Sequence, residues 1–213
     1  MPAIDIDVVS DVVCPWCFIG TRNLELALEG LPDVQATVRF RPFLLDPDTP
    51  PGGADLRERL RHKYGVDPDT MFGRVEAAAR ASGIPLDFSR VRRSVSTVAA
   101  HTLLRTALEV GGPASQGALA RAIFQAYFLE GRDVGQADVL VELATAQGID
   151  DGAARRALGD EAELARTREE ASEAAAGGIR GVPFFILAGR FALSGAQPSD
   201  VMRSAVTRAL TAS

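Results

Sequence analysis

The chain has 213 residues, 46 % of them hydrophobic and 24 % charged, with a formal net charge of -5. That length suits one large domain or a small domain with a sizeable insertion, and the composition excludes a disordered, collagen-like or coiled-coil chain. An acidic chain lacks the basic stripe that duplex nucleic acid requires, so no nucleic-acid partner is expected. No uninterrupted apolar run approaches the ~20 residues that span a bilayer, so no membrane partner is expected either. The opening Met1-Pro2-Ala3-Ile4-Asp5-Ile6-Asp7 lacks the basic n-region of a secretory signal. The expectation is a cytoplasmic protein, in a compartment where thiols stay reduced. Lys63 is the only lysine among 23 basic residues, an arginine bias typical of a GC-rich coding genome.

Residues 4–9 alternate Ile, Asp, Ile, Asp before Val8-Val9 and predict a strand, broken at Ser10-Asp11. Helical spacing then runs from about Cys14 to Glu29, with Gly30 and Pro32 as the stop. Residues 34–43 again read as extended. Leu45-Asp46-Pro47-Asp48-Thr49-Pro50-Pro51-Gly52-Gly53 is rich in breakers and marks a boundary. From Ala54 to about Gly177 only helical patterns occur: 54–64, 70–82, 94–110, 115–130, 136–147, 151–158 and 161–176. Gly111-Gly112-Pro113 separates the third from the fourth. Strand signals return at Phe184-Phe185-Ile186-Leu187 and, after a turn at Ala188-Gly189-Arg190, at 190–193. A last helix begins at Pro198, with Val201, Met202, Ala205, Val206, Ala209 and Leu210 on one face.

The order βαβ, helices, ββα predicts an α/β chain: a thioredoxin-like fold split by an all-helical insertion. The boundaries read as residues 1–48 for the first part of the thioredoxin-like domain, 49–158 for the insertion and 159–213 for the second part.

The only two cysteines form Cys14-Pro15-Trp16-Cys17 at a strand-to-helix junction. Backbone N–H groups at a helix start are unpaired and favour thiolate over thiol at Cys14. Cys17 lies one turn further in on the same face, within reach of a disulfide and less able to meet solvent. The pattern suits an attacking thiol followed by a resolving thiol. Two other readings compete: a pair of buried structural cysteines, and half of a zinc site. Zinc needs four ligands, and His62 and His101, the other soft candidates, lack the spacing of a ligand pair. No metal is expected.

Cys14–Cys17 with Gly181-Val182-Pro183-Phe184 and the helical insertion resembles the DsbA family of thioredoxin-fold disulfide oxidoreductases. Ser10-Asp11, Phe18-Ile19-Gly20, Phe40-Arg41-Pro42-Phe43, Ala100-His101, Ala126-Tyr127-Phe128, Glu130-Gly131-Arg132-Asp133 and Ser194-Gly195-Ala196-Gln197-Pro198 are similar to segments of its cytoplasmic, bacterial FrnE-like branch. The resemblance spans Ile4 to about Leu210. It implies a cis Val182–Pro183 bond that offers the Val182 backbone to an extended substrate beside Cys14. It also implies Cys14 and Cys17 as catalytic residues and a substrate-binding role for Pro15, Trp16, Val182, Pro183 and His101. The implied partners are protein or low-molecular-weight thiols and disulfides, with no dissociable cofactor, on a monomer or homodimer. In two places the chain departs from the family. The buried acid expected six residues before the first cysteine is Val8 here, with Asp7 and Asp11 nearby, and Trp16 stands where DsbA usually carries His.

The predicted function is thiol–disulfide oxidoreduction through Cys14 and Cys17. The alternative is a glutathione-dependent isomerase or transferase of the kappa-class or 2-hydroxychromene-2-carboxylate isomerase type. Those enzymes commonly carry Ser at the first cysteine position, which the Cys14–Cys17 pair argues against. A third possibility is a non-catalytic binder or chaperone, whose activity would survive loss of Cys14.

Overall fold

In the computed structural model, which describes residues 1–50 and 52–212, strand β1 (Ala3–Ser10) buries Ile4, Ile6 and Val8 and turns Asp5 and Asp7 the other way. The alternation follows from the period of two along a strand. β2 (Gln35–Pro42) lies parallel to β1, with Ile6 opposite Val38. Its Arg39 and Arg41 reach Asp5 and Asp7 at 2.9 and 3.0 Å. Helix α1 (Pro15–Glu29) makes the crossover between these strands.

The other side of β1 is taken by β5 (Phe184–Leu187), antiparallel, with Val8 opposite Phe185. β6 (Phe191–Ser194) completes the order β2-β1-β5-β6. The strand at the start of the chain is thus central, and the last strands are brought beside it. Helix α8 (Ser199–Thr211) buries Met202, Val206 and Ala209 and packs against α1 and β1. This is the thioredoxin-like α/β arrangement expected of the sequence.

Between β2 and β5 lie β3 (Ala54–Asp55), α2 (Leu56–Tyr64), α3 (Pro68–Ala81), β4 (Arg93–Ser94), α4 (Val98–Phe128), α5 (Ala137–Ala146), α6 (Asp151–Gly159) and α7 (Glu161–Ala176). The N-caps of α2, α3, α6 and α7 are Asp55, Asp67, Asp150 and Asp160, each accepting a backbone N–H of the first turn.

One feature differs from the helix-only expectation for this segment. Ala54 and Asp55 pair with Ser94 and Arg93 as a short two-stranded sheet, too brief to leave a periodic signal. The helices expected at 94–110 and 115–130 are both present, as the two segments of α4 that meet at Gly112. That residue alone leaves helical geometry, at φ 72° and ψ −172°. Glycine tolerates this φ, and Pro113, which has no N–H, follows it.

Beyond the bend, Gln116 closes the outer edge of the main sheet. Its side-chain carbonyl accepts from the Phe40 N–H at 2.8 Å and its amide donates to the Phe40 carbonyl at 3.0 Å. Phe18 of α1 stacks on Phe124 and Phe128 of α4, with ring centroids 5.3 and 5.8 Å apart. This stack ties the start of α1 to the helical segment.

Candidate active site

Cys14 is the N-cap of α1, in an extended conformation at φ −89° and ψ 113°. Its carbonyl accepts the N–H of Cys17 at 3.0 Å and of Phe18 at 3.2 Å, and its own N–H donates to the Asp11 carbonyl at 3.0 Å. Pro15 occupies the first helical turn, where its missing N–H removes no bond. The Cys14 sulfur therefore lies at the positive end of the α1 macrodipole. Both cysteines are free thiols.

The Cys14 Sγ lies 3.7 Å from the Val182 carbonyl oxygen, to which the thiol donates. The Val182–Pro183 peptide is cis. Two hydrogen bonds and one close approach hold this loop, the Ser194–Pro198 segment and α1 together. The Pro183 carbonyl accepts the Gly195 N–H at 2.8 Å, and the Asn23 side chain of α1 donates to the Gln197 carbonyl at 2.9 Å. Gly20 lets the two approach: a Cβ there would lie 2.9 Å from Pro183 Cγ and 3.2 Å from the Phe185 ring. The Phe18-Ile19-Gly20 and Ser194–Pro198 segments thus meet at the wall of the site.

Cys14 is 4 % exposed and Cys17 0 %. The order is as expected, but Cys14 meets far less solvent than a helix-start cysteine suggests. Val182 packs beside its sulfur, from a point in the chain that local sequence does not reveal. Trp16 is 39 % exposed. Val182 is half-buried and Pro183 buried. Burial pushes the Cys17 thiol well above its ordinary value, the neighbouring Cys14 sulfur adds to this, and the Asp11 charge adds further. The Asp11 backbone acts the other way.

A family model described as DSBA-like thioredoxin domain matches residues 5–207. The chain belongs to the DSBA-like thioredoxin domain family. Its fold is similar to the crystal structure of a probable DsbA oxidoreductase, SCO1869 from Streptomyces coelicolor. That likeness has a TM-score of 0.87 at 33 % identity and covers 99 % of this chain and 91 % of the other. It is also similar to the cytosolic disulfide reductase DsbM from Pseudomonas aeruginosa, in a structure with GSH. There the TM-score is 0.68 at 23 % identity over 97 % of this chain and 98 % of the other. A 2-hydroxychromene-2-carboxylate isomerase matches with a TM-score of 0.68 at 19 % identity over 96 and 95 % of the two chains. The last two likenesses are of fold.

In this DSBA-like chain the sequence-named residues divide into two groups. Cys14, Pro15, Trp16 and Cys17 lie together at the start of α1, and Val182 and Pro183 face them across the 3.7 Å contact. His101 is on α4, 4 % exposed, with its Nε2 at 3.4 Å from Asp11 Oδ1. Asp11 was missed as a site residue. It is 1 % exposed, its Oδ2 accepts the Leu45 N–H at 2.8 Å, and its Oδ1 has no hydrogen bond. The available signal was the Ser10-Asp11 break in an otherwise apolar stretch running into the cysteines.

Val8, at the position where an acid was sought, is fully buried in the sheet, and Asp7 points outward to Arg41. Among the described residues there is no cluster of three or more His, Cys, Asp or Glu that could hold a metal ion. Two clefts of about 600 and 620 Å³ lie beside α1 and α4, and neither cysteine lines them.

Proposed function

We propose that this protein is a thiol–disulfide oxidoreductase working through Cys14 and Cys17 on protein or low-molecular-weight disulfides. The observation that carries this reading is the Cys14 sulfur at the start of α1, 3.7 Å from the Val182 carbonyl and preceding the cis Pro183, with Cys17 one turn inward. The Cys14 thiolate attacks one sulfur of a substrate disulfide and expels the other as a thiolate. Cys17 then attacks the Cys14 sulfur of the mixed disulfide and expels the second substrate thiolate. Two electrons pass from the dithiol to the substrate, and the reverse sequence oxidises a substrate dithiol. No dissociable cofactor enters the cycle.

Trp16, with the neighbouring Pro15, offers an apolar surface beside the sulfur, and the Val182 backbone offers a strand-like edge to an extended substrate. The named substrate surface is Pro15, Trp16, Val182 and Pro183. His101, the fifth residue the sequence names as substrate-binding, is buried against Asp11. A cytoplasmic setting and the FrnE-like branch fit the same reading. Among the described residues no helix is long and apolar enough to cross a membrane.

The fold likeness to the isomerase supports a second reading, glutathione-dependent isomerisation or transfer. It predicts that Cys17 is dispensable. Trapping decides between the two. With a model disulfide, the Cys17→Ala protein should accumulate a reductant-sensitive adduct on Cys14, and Cys14→Ala should accumulate almost none and lose insulin reduction. Full turnover by both variants, with nothing trapped, would end the oxidoreductase reading.

A further inference from the structure

The Cys17 sulfur carries a proton that must leave before it can close the disulfide, and the residue is 0 % exposed. Burial makes that thiol harder to ionise, so an internal acceptor is needed. Asp11 is the only buried acid and His101 the only buried imidazole among the described residues. The Asp11 carbonyl accepts the Cys14 N–H at 3.0 Å, and the Cys14 carbonyl accepts the Cys17 N–H at 3.0 Å, which sets Asp11 beside the turn that carries both sulfurs. Leu45 occupies one carboxylate oxygen, and the other, Oδ1, has no donor. His101 Nε2 likewise has no partner, and the two unpaired atoms face one another at 3.4 Å. Leaving a buried polar atom unsatisfied is unfavourable. Two such atoms turned toward each other leave room for one shared proton.

The other titratable and charged groups around this point are already committed or consumed. On α1, Cys14 is spent in the disulfide. On β2, Arg41 is held by Asp7. On α4, the Tyr127 hydroxyl donates to the Arg93 carbonyl at 2.7 Å, and Arg105 is held by Glu163 and Glu109. On α7, Arg166 and Glu170 pair with each other. In the loop after α4, Asp133 pairs with Arg93. His101 also lines a cleft of about 210 Å³ with Arg41, Glu109, Arg166 and Glu170, which gives the imidazole a polar route outward.

We propose that Asp11 and His101 together take up the Cys17 proton as the disulfide closes and return it on reduction. This deepens the oxidoreductase reading and rests on it. In the closing step the Cys17 sulfur bonds to the Cys14 sulfur and the bond from Cys14 to the substrate sulfur breaks. Its electron pair leaves on the substrate thiolate, and the proton moves from Cys17 to the Asp11–His101 pair. From there it passes to the departing thiolate or through the cleft to water. Asp11 is tied through its carbonyl to the Cys14 N–H, and His101 is a positioning residue acting through Asp11.

The test is a single turnover of the reduced full chain with dithionitrobenzoate, whose released thiolate is coloured. Attack by Cys14 frees the first thiolate and closure by Cys17 frees the second. In the wild type the closure rate should level off at a pH well below that at which Cys17 ionises. Asp11→Asn and His101→Gln should each slow closure relative to attack by about 10²-fold at neutral pH, the usual contribution of a positioned base. In both variants closure should then climb with pH, since hydroxide must take the proton. The double variant should be no slower than either single one, because the pair acts as a unit. A wild-type closure rate that climbs steadily with pH through neutrality overturns the proposal even if Asp11→Asn does not fold. Closure at the wild-type rate in His101→Gln also overturns it. Release of no second thiolate by the wild type, with no Cys14–Cys17 disulfide by mass spectrometry, instead overturns the oxidoreductase reading on which it stands.

Discussion

Before its bend at Gly112, α4 sets His101, Thr102 and Arg105 into the interior, where they meet Asp11, Thr167 and Glu163. After the bend the interior side chains include Leu119, Ile123, Phe124 and Phe128, packed on Phe18 and Phe88. One helix therefore buries two kinds of surface. The aromatic half holds by dispersion and area removed from water, which is indifferent to proton concentration. The polar half also buries Leu103 and Leu104, and adds directional bonds, of which those of Arg105 depend on which groups carry charge. Phe18 directly follows Cys17, so the aromatic half fixes where the start of α1 sits. The polar half places His101 against Asp11, three residues before Cys14.

Removing Phe128 tests the aromatic half most severely. Phe128→Ala takes a fully buried ring from contact with Phe18, Phe88, Phe124 and Tyr127. Phe→Ala changes in cores cost about 3–5 kcal/mol. Urea unfolding should show a loss of that size, equal in mildly acid and mildly alkaline buffer. A loss below ~1 kcal/mol, or one that varies with pH, would break the division between the halves.

The matching change before the bend is Arg105→Met. Arg105 is 8 % exposed at its side chain, and its guanidinium donates to the Thr167 hydroxyl at 2.8 Å and the Glu163 carbonyl at 3.0 Å. It also pairs with the Glu163 carboxylate. Bonds to charged groups are worth about 1.5–3 kcal/mol, and the third-exposed Glu163 side chain puts this one toward the lower figure. The loss should shrink in strong acid, where carboxylates are protonated. A loss that is the same across that range would mean the methylenes of Arg105, not its charge, hold α7.

Most of the sheet was legible in the sequence because each strand carries its own signal. The Ile-Asp alternation of β1 and the Phe184–Leu187 run mark strands, and β1 lies centrally because both neighbours pair with it. The break in α4 was legible as Gly111-Gly112-Pro113, and the helix after it from the spacing of Leu119, Ile123 and Phe124, but not that Gln116 and Phe124 would meet β2 and α1. Cys14 and Cys17 were legible from spacing alone. The cover over Cys14 was not, because Val182 lies 168 positions away in sequence. Asp11 and His101 were each within a named segment, yet no local pattern says that two polar residues on different elements share an interior point.

Tyr127 joins the two halves, and the smallest expected effect concerns it. Its ring packs edge-on to Phe128, with centroids 4.8 Å apart, while its hydroxyl donates to the Arg93 carbonyl at 2.7 Å. Near neutral pH, Tyr127→Phe should cost about 1 kcal/mol, the net value of one hydrogen bond. Burial, with the Asp11 and Asp133 charges, raises this phenol above its ordinary value of 10.0. The folded chain thus keeps the proton at a pH where the unfolded chain releases it. Folding then binds protons, and stability falls as pH rises above the unfolded value toward the folded one. The phenylalanine variant lacks that loss, so the gap between the two proteins should narrow above about pH 10. The measurement belongs on the oxidised protein, because the Cys17 thiol is also raised, from 9.0, and contributes in the same direction when reduced. A gap that stays constant into alkali would show that the phenol is not held neutral by its surroundings. The Tyr127 site would then belong wholly to the aromatic half.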